Sequence, residues 1–238
     1  MSTASQKATP DSTNRPPKSL VTLVVLFVAL LLAAALSEGV YDIAFANLAL
    51  DLSGLVSTIG LVYCAGYGVE VAASLALGPL LDRRDPRAVL VVSFLLKISV
   101  FVLIGLGSSF LASRIWVIVA AAAAVDFVHQ VGQMALFVLL PRLVDEETLV
   151  KVQGIGASAR AASQILSPVV AGLVISVMPG AHGLIAAAGF QTVALLLLMA
   201  FTAAARSHDR TPAASTKSSR EPEAAQETEP AGSDVLPS

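Results

Sequence analysis

Gly78-Pro79-Leu80-Leu81-Asp82-Arg83-Arg84-Asp85-Pro86-Arg87 is a short, charge-dense stretch between two long apolar runs. It cannot lie in hydrocarbon, because each charge at a bilayer centre costs roughly 2.5–3.5 kcal/mol even on the lenient insertion scale. It reads as a tight loop at a membrane surface. Its three arginines put that surface on the cytoplasmic side, the face toward which basic residues are biased.

The rest of the chain agrees with a membrane reading. Of 238 residues, 55% are hydrophobic and 13% charged, and the mean hydropathy is +0.78. Soluble domains carry about 25% charged residues, so the deficit marks spanning helices rather than a large soluble core. The net charge of −2 says less than the placement of the charges, which crowd into the two ends and a few short loops. Cys64, the single cysteine, lies within an apolar run and is expected to be a small core residue.

Apolar runs of about twenty residues are the signature of spanning helices. Six are expected, at about 20–47, 55–81, 88–107, 114–140, 149–177 and 184–205. Turn formers separate them: Leu52-Ser53-Gly54, the opening stretch, Gly107-Ser108-Ser109, Pro141 to Glu147, and Met178-Pro179-Gly180. The domain organisation is then a disordered cytoplasmic tail over 1–18, a transmembrane domain over 19–206 and a second disordered tail over 207–238. Both tails are polar and rich in Pro and Ser. With the N-terminus inside, the cytoplasmic flanks hold Lys7, Arg15, Lys18, Arg83, Arg84, Arg87, Arg142, Lys151, Arg206 and Arg210, while the external loops hold Arg114 alone. Such a bias puts both termini in the cytoplasm and the chain in the plasma (cytoplasmic) membrane.

Charged groups inside spans are expensive and normally face a bundle interior or an aqueous cavity. Glu38 and Asp42 stand four apart on the first span, hence on one face. Tyr63, Tyr67, Glu70 and Ser74 form a stripe on the second, Asp126, His129, Gln130 and Gln133 on the fourth, and Arg160, Ser163, Gln164 and Ser167 on the fifth. Spans three and six are nearly bare, with Lys97 on one and Gln191 and Thr192 on the other. The simplest arrangement sets spans one, two, four and five around a wet centre, with three and six outside facing lipid and Lys97 snorkelling or paired locally. Carboxyl groups partly withdrawn from water can carry protons, so carboxylates with an imidazole suit proton coupling and cationic solutes. Arg160 reads either as their counter-charge or as a structural tie to Asp126 or Glu70. Glu38 and Asp42 read either as coupling groups or as groups near a wet helix end, and His129 either as a proton relay or as a hydrogen-bonded core histidine.

Gly78-x-Leu80-x-Asp82-Arg83-x-Asp85-x-Arg87 resembles the loop between helices two and three of the major facilitator superfamily, G-x-L-A-D-R-x-G-R-K/R. Variants with D-R-x-D-R-R are typical of a drug:proton antiporter branch that includes macrolide-efflux and enterobactin-exporter-like permeases. At Pro86 the branch usually has Arg, and Pro79 is a second departure. Glu38-Gly39-Val40-Tyr41-Asp42 followed by Leu48 to Gly54 is similar to the branch's first-helix pattern. Leu140-Pro141-Arg142-Leu143-Val144-Asp145-Glu146-Glu147-Thr148-Leu149 resembles its link between helices four and five. Ser163-x-x-x-Ser167-Pro168-x-x-Ala171-Gly172 resembles, at spacing, the antiporter motif G-x-x-x-G-P-x-x-G-G, with Pro168 and Gly172 kept. Small residues four apart allow close helix approach.

The resemblance spans about Leu20 to Ala205. It implies an all-α membrane protein whose six transmembrane helices are one half of a major facilitator fold. It implies proton-coupled efflux of a small amphipathic or cationic molecule, with Glu38, Asp42, Glu70, Asp126, His129, Gln130, Gln133, Arg160 and Gln164 at the substrate and proton-coupling site. Gly78, Asp82, Arg83, Asp85 and Arg87 would form a gating loop. Family members have two six-helix halves with substrate between them, so the expected partners are membrane lipid, a small-molecule substrate and a second six-helix half, either a second copy or a separate chain. The alternative is a non-transporting truncated remnant, or an accessory membrane subunit that binds a partner through its polar face. No enzyme is expected, since there is no G-x-S-x-G serine. No metal or cofactor is expected, since the three histidines are scattered. No nucleic-acid role follows, because the basic residues flank the membrane.

Overall fold

A computed structural model describes residues 18–77, 84–107, 114–143, 146–178 and 180–209. The described residues form helices α1 (Lys18–Ser53), α2 (Ser57–Ala76), α3 (Pro86–Leu106), α4 (Ile115–Leu139), α5 (Glu146–Val177) and α6 (His182–Asp209), with a short 3-10 turn at Leu140–Arg142. Each helix is long and apolar enough to cross a membrane. Helices suit that solvent because their backbone hydrogen bonds close within the segment. The expected tails are shorter than 1–18 and 207–238, since Lys18 already belongs to α1 and residues 207–209 continue α6; the rest of both tails, and Gly78, Asp82 and Arg83 of the expected gating loop, lie outside the described residues.

The first helix runs past its expected end at Asn47 to Ser53. Its 36 residues give a length of about 54 Å, well over the roughly 30 Å of hydrocarbon, so its ends project. Gly54 ends it at φ 67°, a left-handed conformation cheap only for glycine, and its N–H donates to the Leu50 carbonyl at 2.8 Å. The Ser53 and Thr58 hydroxyls meet at 2.8 Å and close the turn into α2. At the start of α3, the Asp85 carboxylate accepts from the Arg87 N–H at 3.0 Å, and Pro86 occupies the first helical position. The departure from the family pattern at Pro86 therefore belongs to a well-capped helix start.

α1 is central and packs on α2, α4, α5 and α6. α3 packs on α4 and α6 behind it, α2 packs chiefly on α4, and α5 packs on α1. Among the described residues no packed seam joins α2 to α5. The core has an apolar cluster at each end of the bundle. Near the α1–α2 turn, Tyr41, Phe45, Phe101, Ile118, Val125 and Leu184 are buried together. At the opposite end Leu23, Phe27, Leu140, Val152 and Phe201 pack, with the Phe27 and Phe201 rings 5.6 Å apart. Between them, beside a middle cluster that includes Leu30, Phe94 and Leu198, lies a layer of polar side chains.

Small residues bring the helices together. Ser163, Ser167 and Ala171, four apart on α5, are all buried. The Ser167 hydroxyl donates to the Ala35 carbonyl on α1 at 3.1 Å, and a Cβ on Gly39 would collide with the Ser167 side chain. Gly172 is exposed, and a Cβ there would meet nothing within 4 Å. So Ser163, Ser167 and Ala171 of the helix-five motif make the α1–α5 seam, and Gly172 takes no part in it. Cys64 is exposed on α2 rather than in the core, because the run that holds it turns one flank away from α1 and α4.

Candidate functional site

A cavity of about 820 Å³ lies among α1, α2, α4 and α5. α1 and α4 form its floor, and α2 and α5 stand on either side. From α1 it takes Glu38, Gly39 and Asp42, and from α2 Tyr63 and Glu70. α4 supplies His129, Gln130, Gln133 and Met134, and α5 supplies Arg160, Ser163, Gln164, Ser167 and Pro168. The four polar stripes of the sequence thus converge on one space. Their helical spacing carries this: 38 and 42, 129 and 133, and 160 and 164 each stand one turn apart. Pro168 lacks an N–H, which leaves the Gln164 carbonyl without its helical partner beside the cavity.

Among the described residues Arg160 does not pair with a carboxylate. Its Nη2 donates to Gln133 Oε1 at 2.7 Å, linking α5 to α4 over the cavity floor. The Gln133 amide nitrogen lies 3.3 Å from His129 Nε2. The same ring nitrogen is 3.8 Å from Glu38 Oε2, and the Glu38 side chain is 42% exposed against 11% for His129. Glu38 therefore meets the cavity's water while the imidazole sits in its wall.

Asp126 is the expected site carboxylate that the structure sets apart. It lies beside the cavity rather than in its lining. It accepts from the Tyr41 hydroxyl at 3.2 Å and presses on Gly66 of α2, where a Cβ would run into its Oδ2. Asp126 thus joins α4, α1 and α2 at one point. A short polar side chain and a facing glycine are both needed for that contact.

α3 and α6 are not bare helices facing lipid. Lys97 is 3% exposed, its Nζ lies 3.3 Å from His129 Nδ1, and it stands 5.1 Å from the centre of the Tyr41 ring. Gln191 on α6 is wholly buried. Lys97 stands midway along its helix, too deep to snorkel, and α3 packs on α4 and α6 so that this mid-span charge turns inward. The signal was present in the sequence: an ammonium in the middle of an otherwise apolar span needs an interior partner. Among the described residues no group of three or more His, Cys, Asp and Glu could hold a metal ion.

These features define a multi-pass helical membrane protein with a solute-sized polar cavity at mid-depth. The sequence model of the Major Facilitator Superfamily matches residues 26–235, most of the chain, and the protein belongs to that family. No curated protein and no solved structure matches it. Membrane transport by a major facilitator permease is the activity that this membership carries, and the six helices are those of one half of the family's fold.

Proposed function

We propose that the chain is the six-helix unit of a proton-coupled exporter for small amphipathic or cationic molecules, of the drug:proton antiporter kind. The observation that carries this reading is the cavity's charge: Glu38, Asp42 and Glu70 line it against the single guanidinium of Arg160. An acidic cavity of about 820 Å³ falls within the size range of sites for drug-sized ligands. Tyr63, Met134 and Phe137 add apolar and aromatic surface for the body of such a molecule. Carboxylates that hold either a proton or a cation make the two exclusive, which is the elementary condition for exchange.

In this reading Glu38, Asp42 and Glu70 bind substrate or proton, Asp126 supports them from beside the cavity, and Arg160 sets the resting charge. Asp82, Arg83 and Arg87 serve as the cytoplasmic gate, and a second six-helix unit completes alternating access. The chain sits in the plasma membrane with both termini in the cytoplasm. The test uses inverted membrane vesicles containing the full chain, with tetraphenylphosphonium as probe. Uptake should follow an acid-inside gradient, vanish when nigericin collapses it, and fall at least tenfold in Asp42→Asn and Glu38→Gln. Uptake that ignores the proton gradient, or survives both substitutions, would overturn the reading.

A further inference from the structure

A second, small space of about 30 Å³ lies behind the floor of the main cavity, among α1, α3, α4 and α6. Its polar lining is Ser93, Lys97, His129, Gln133 and Gln191. Among the described residues neither the Oε1 nor the Nε2 of Gln191 has a hydrogen-bond partner, although both are buried. Among the described residues no carboxylate lies within 4 Å of the Lys97 ammonium. His129 belongs to both spaces, with Nδ1 toward Lys97 and Nε2 toward Glu38 and Gln133.

The donors and acceptors here cannot all be satisfied at once. A guanidinium only donates, so Arg160 occupies the Gln133 carbonyl and turns that residue's amino group toward His129 Nε2. A charged Lys97 also only donates, toward Nδ1. A neutral imidazole has one lone pair for these two donors. Two arrangements each satisfy one of these donors, and they differ by the net transfer of one proton from Lys97 to Glu38.

We propose that His129 relays a proton between the dry Lys97 and the wet Glu38 by exchanging one tautomer for the other. In the first state the Lys97 ammonium donates to Nδ1, and Nε2–H points at the Glu38 carboxylate. In the second, one proton has left Nζ for Nδ1 and one has left Nε2 for Glu38 Oε2. Lys97 and Glu38 are then both neutral, Nδ1–H donates to the lysine lone pair, and the Gln133 amino group donates to Nε2. The number of protons on the three residues is unchanged, and the reverse shift restores the first state. The 3.8 Å between Nε2 and Oε2 closes by a small side-chain movement of Glu38. This small space has room for one water, which would accept from the Lys97 ammonium and donate to Gln191 Oε1.

Several groups face the pair and bias it. Tyr41, Glu38 and Asp42 act from α1, Glu70 from α2, Asp126 from α4 and Arg160 from α5, while α6 brings the uncharged Gln191. The relay rests on the proton-coupled reading above and gives it a store from which Glu38 is reloaded after the cavity has taken its proton.

Solid-state nitrogen NMR of the full chain in bilayers, labelled at histidine, reads the tautomer, with His129→Gln identifying the signal. The wild-type ring should carry its proton on Nε2, and in Lys97→Met, where Gln133 is the only remaining donor, on Nδ1. The same tautomer in both proteins would overturn the switch. A pH-indicator dye then reads protons released when tetraphenylphosphonium is added to the detergent-solubilised chain. Lys97→Arg keeps the charge but cannot surrender a proton. It should retain the Nε2–H tautomer and bind the probe within about threefold of wild type, yet release fewer protons per probe bound by the share that passes through Glu38, while Asp42 and Glu70 still release theirs. Wild-type release from Lys97→Arg would overturn the relay. No release from the wild-type chain would instead overturn proton coupling itself, and the tautomer comparison would still decide for or against the switch.

Discussion

Gly39 and Gly68 show how differently two glycines can matter. A Cβ at Gly39 would collide with the Ser167 hydroxyl, whereas one at Gly68 would meet nothing within 4 Å. Gly39→Ala should therefore destabilise the chain by about 1–3 kcal/mol, the usual cost of overfilling a packed seam. Gly68→Ala should leave stability unchanged or raise it by up to about 1 kcal/mol, since alanine is the better helix residue. Thermal unfolding of both variants in one detergent checks the contrast; equal loss in the two would refute the α1–α5 seam. The sequence marked Gly39 only as part of a motif. Nothing in it showed that its partner stands 128 residues away, because a glycine's neighbour is chosen by how the helices cross. Glu38 and Asp42 were more legible, since their spacing alone puts them on one face. Asp126 was legible as an interior charge but not as a tie to Tyr41 and Gly66.

The six helices could be counted from hydropathy, because each must satisfy its own backbone in lipid and so needs a long apolar run. Their ends were less legible. α1 passes Asn47 to Ser53 because the polar residues there sit on a helix that projects beyond the membrane. At the start of α3, Asp85 and Pro86 read as loop residues in sequence, yet they cap the helix. Asp85→Ala should cost about 1 kcal/mol and Asp85→Asn only a small part of that, because an amide oxygen can still accept from Arg87 N–H. Chemical unfolding monitored by helical circular dichroism measures the difference, and equal effects of the two would show that capping is not the role of Asp85. α3 and α6 seemed bare in sequence because only one charge or amide marks each. Packing turned those single groups inward, so sparse polarity on a span says little about which way it faces.

For the whole molecule, six consecutive spans return the chain to the side from which it started. With the cytoplasmic orientation proposed above, Val56 in the α1–α2 turn lies outside and Arg142 after α4 lies inside. In a Cys64→Ala background, a membrane-impermeant maleimide should label Val56→Cys in intact cells and Arg142→Cys only after permeabilisation. The opposite pattern would invert the topology, and labelling of both in intact cells would break the count of spans.

Hydropathy and helical spacing were enough to establish an all-helical membrane bundle and the four polar stripes, and the loop and helix motifs gave the resemblance to the family. These are one-dimensional properties: the length of an apolar run is set by bilayer thickness, and a residue's face by its place in the turn. Only the tertiary structure showed that Lys97 backs onto His129, that Asp126 stands beside the cavity, and that Arg160 meets Gln133 instead of a carboxylate. Those outcomes depend on which helices touch and how closely. Side-chain volume and the buried donors' need for acceptors decide that across the bundle, between residues that no local spacing connects.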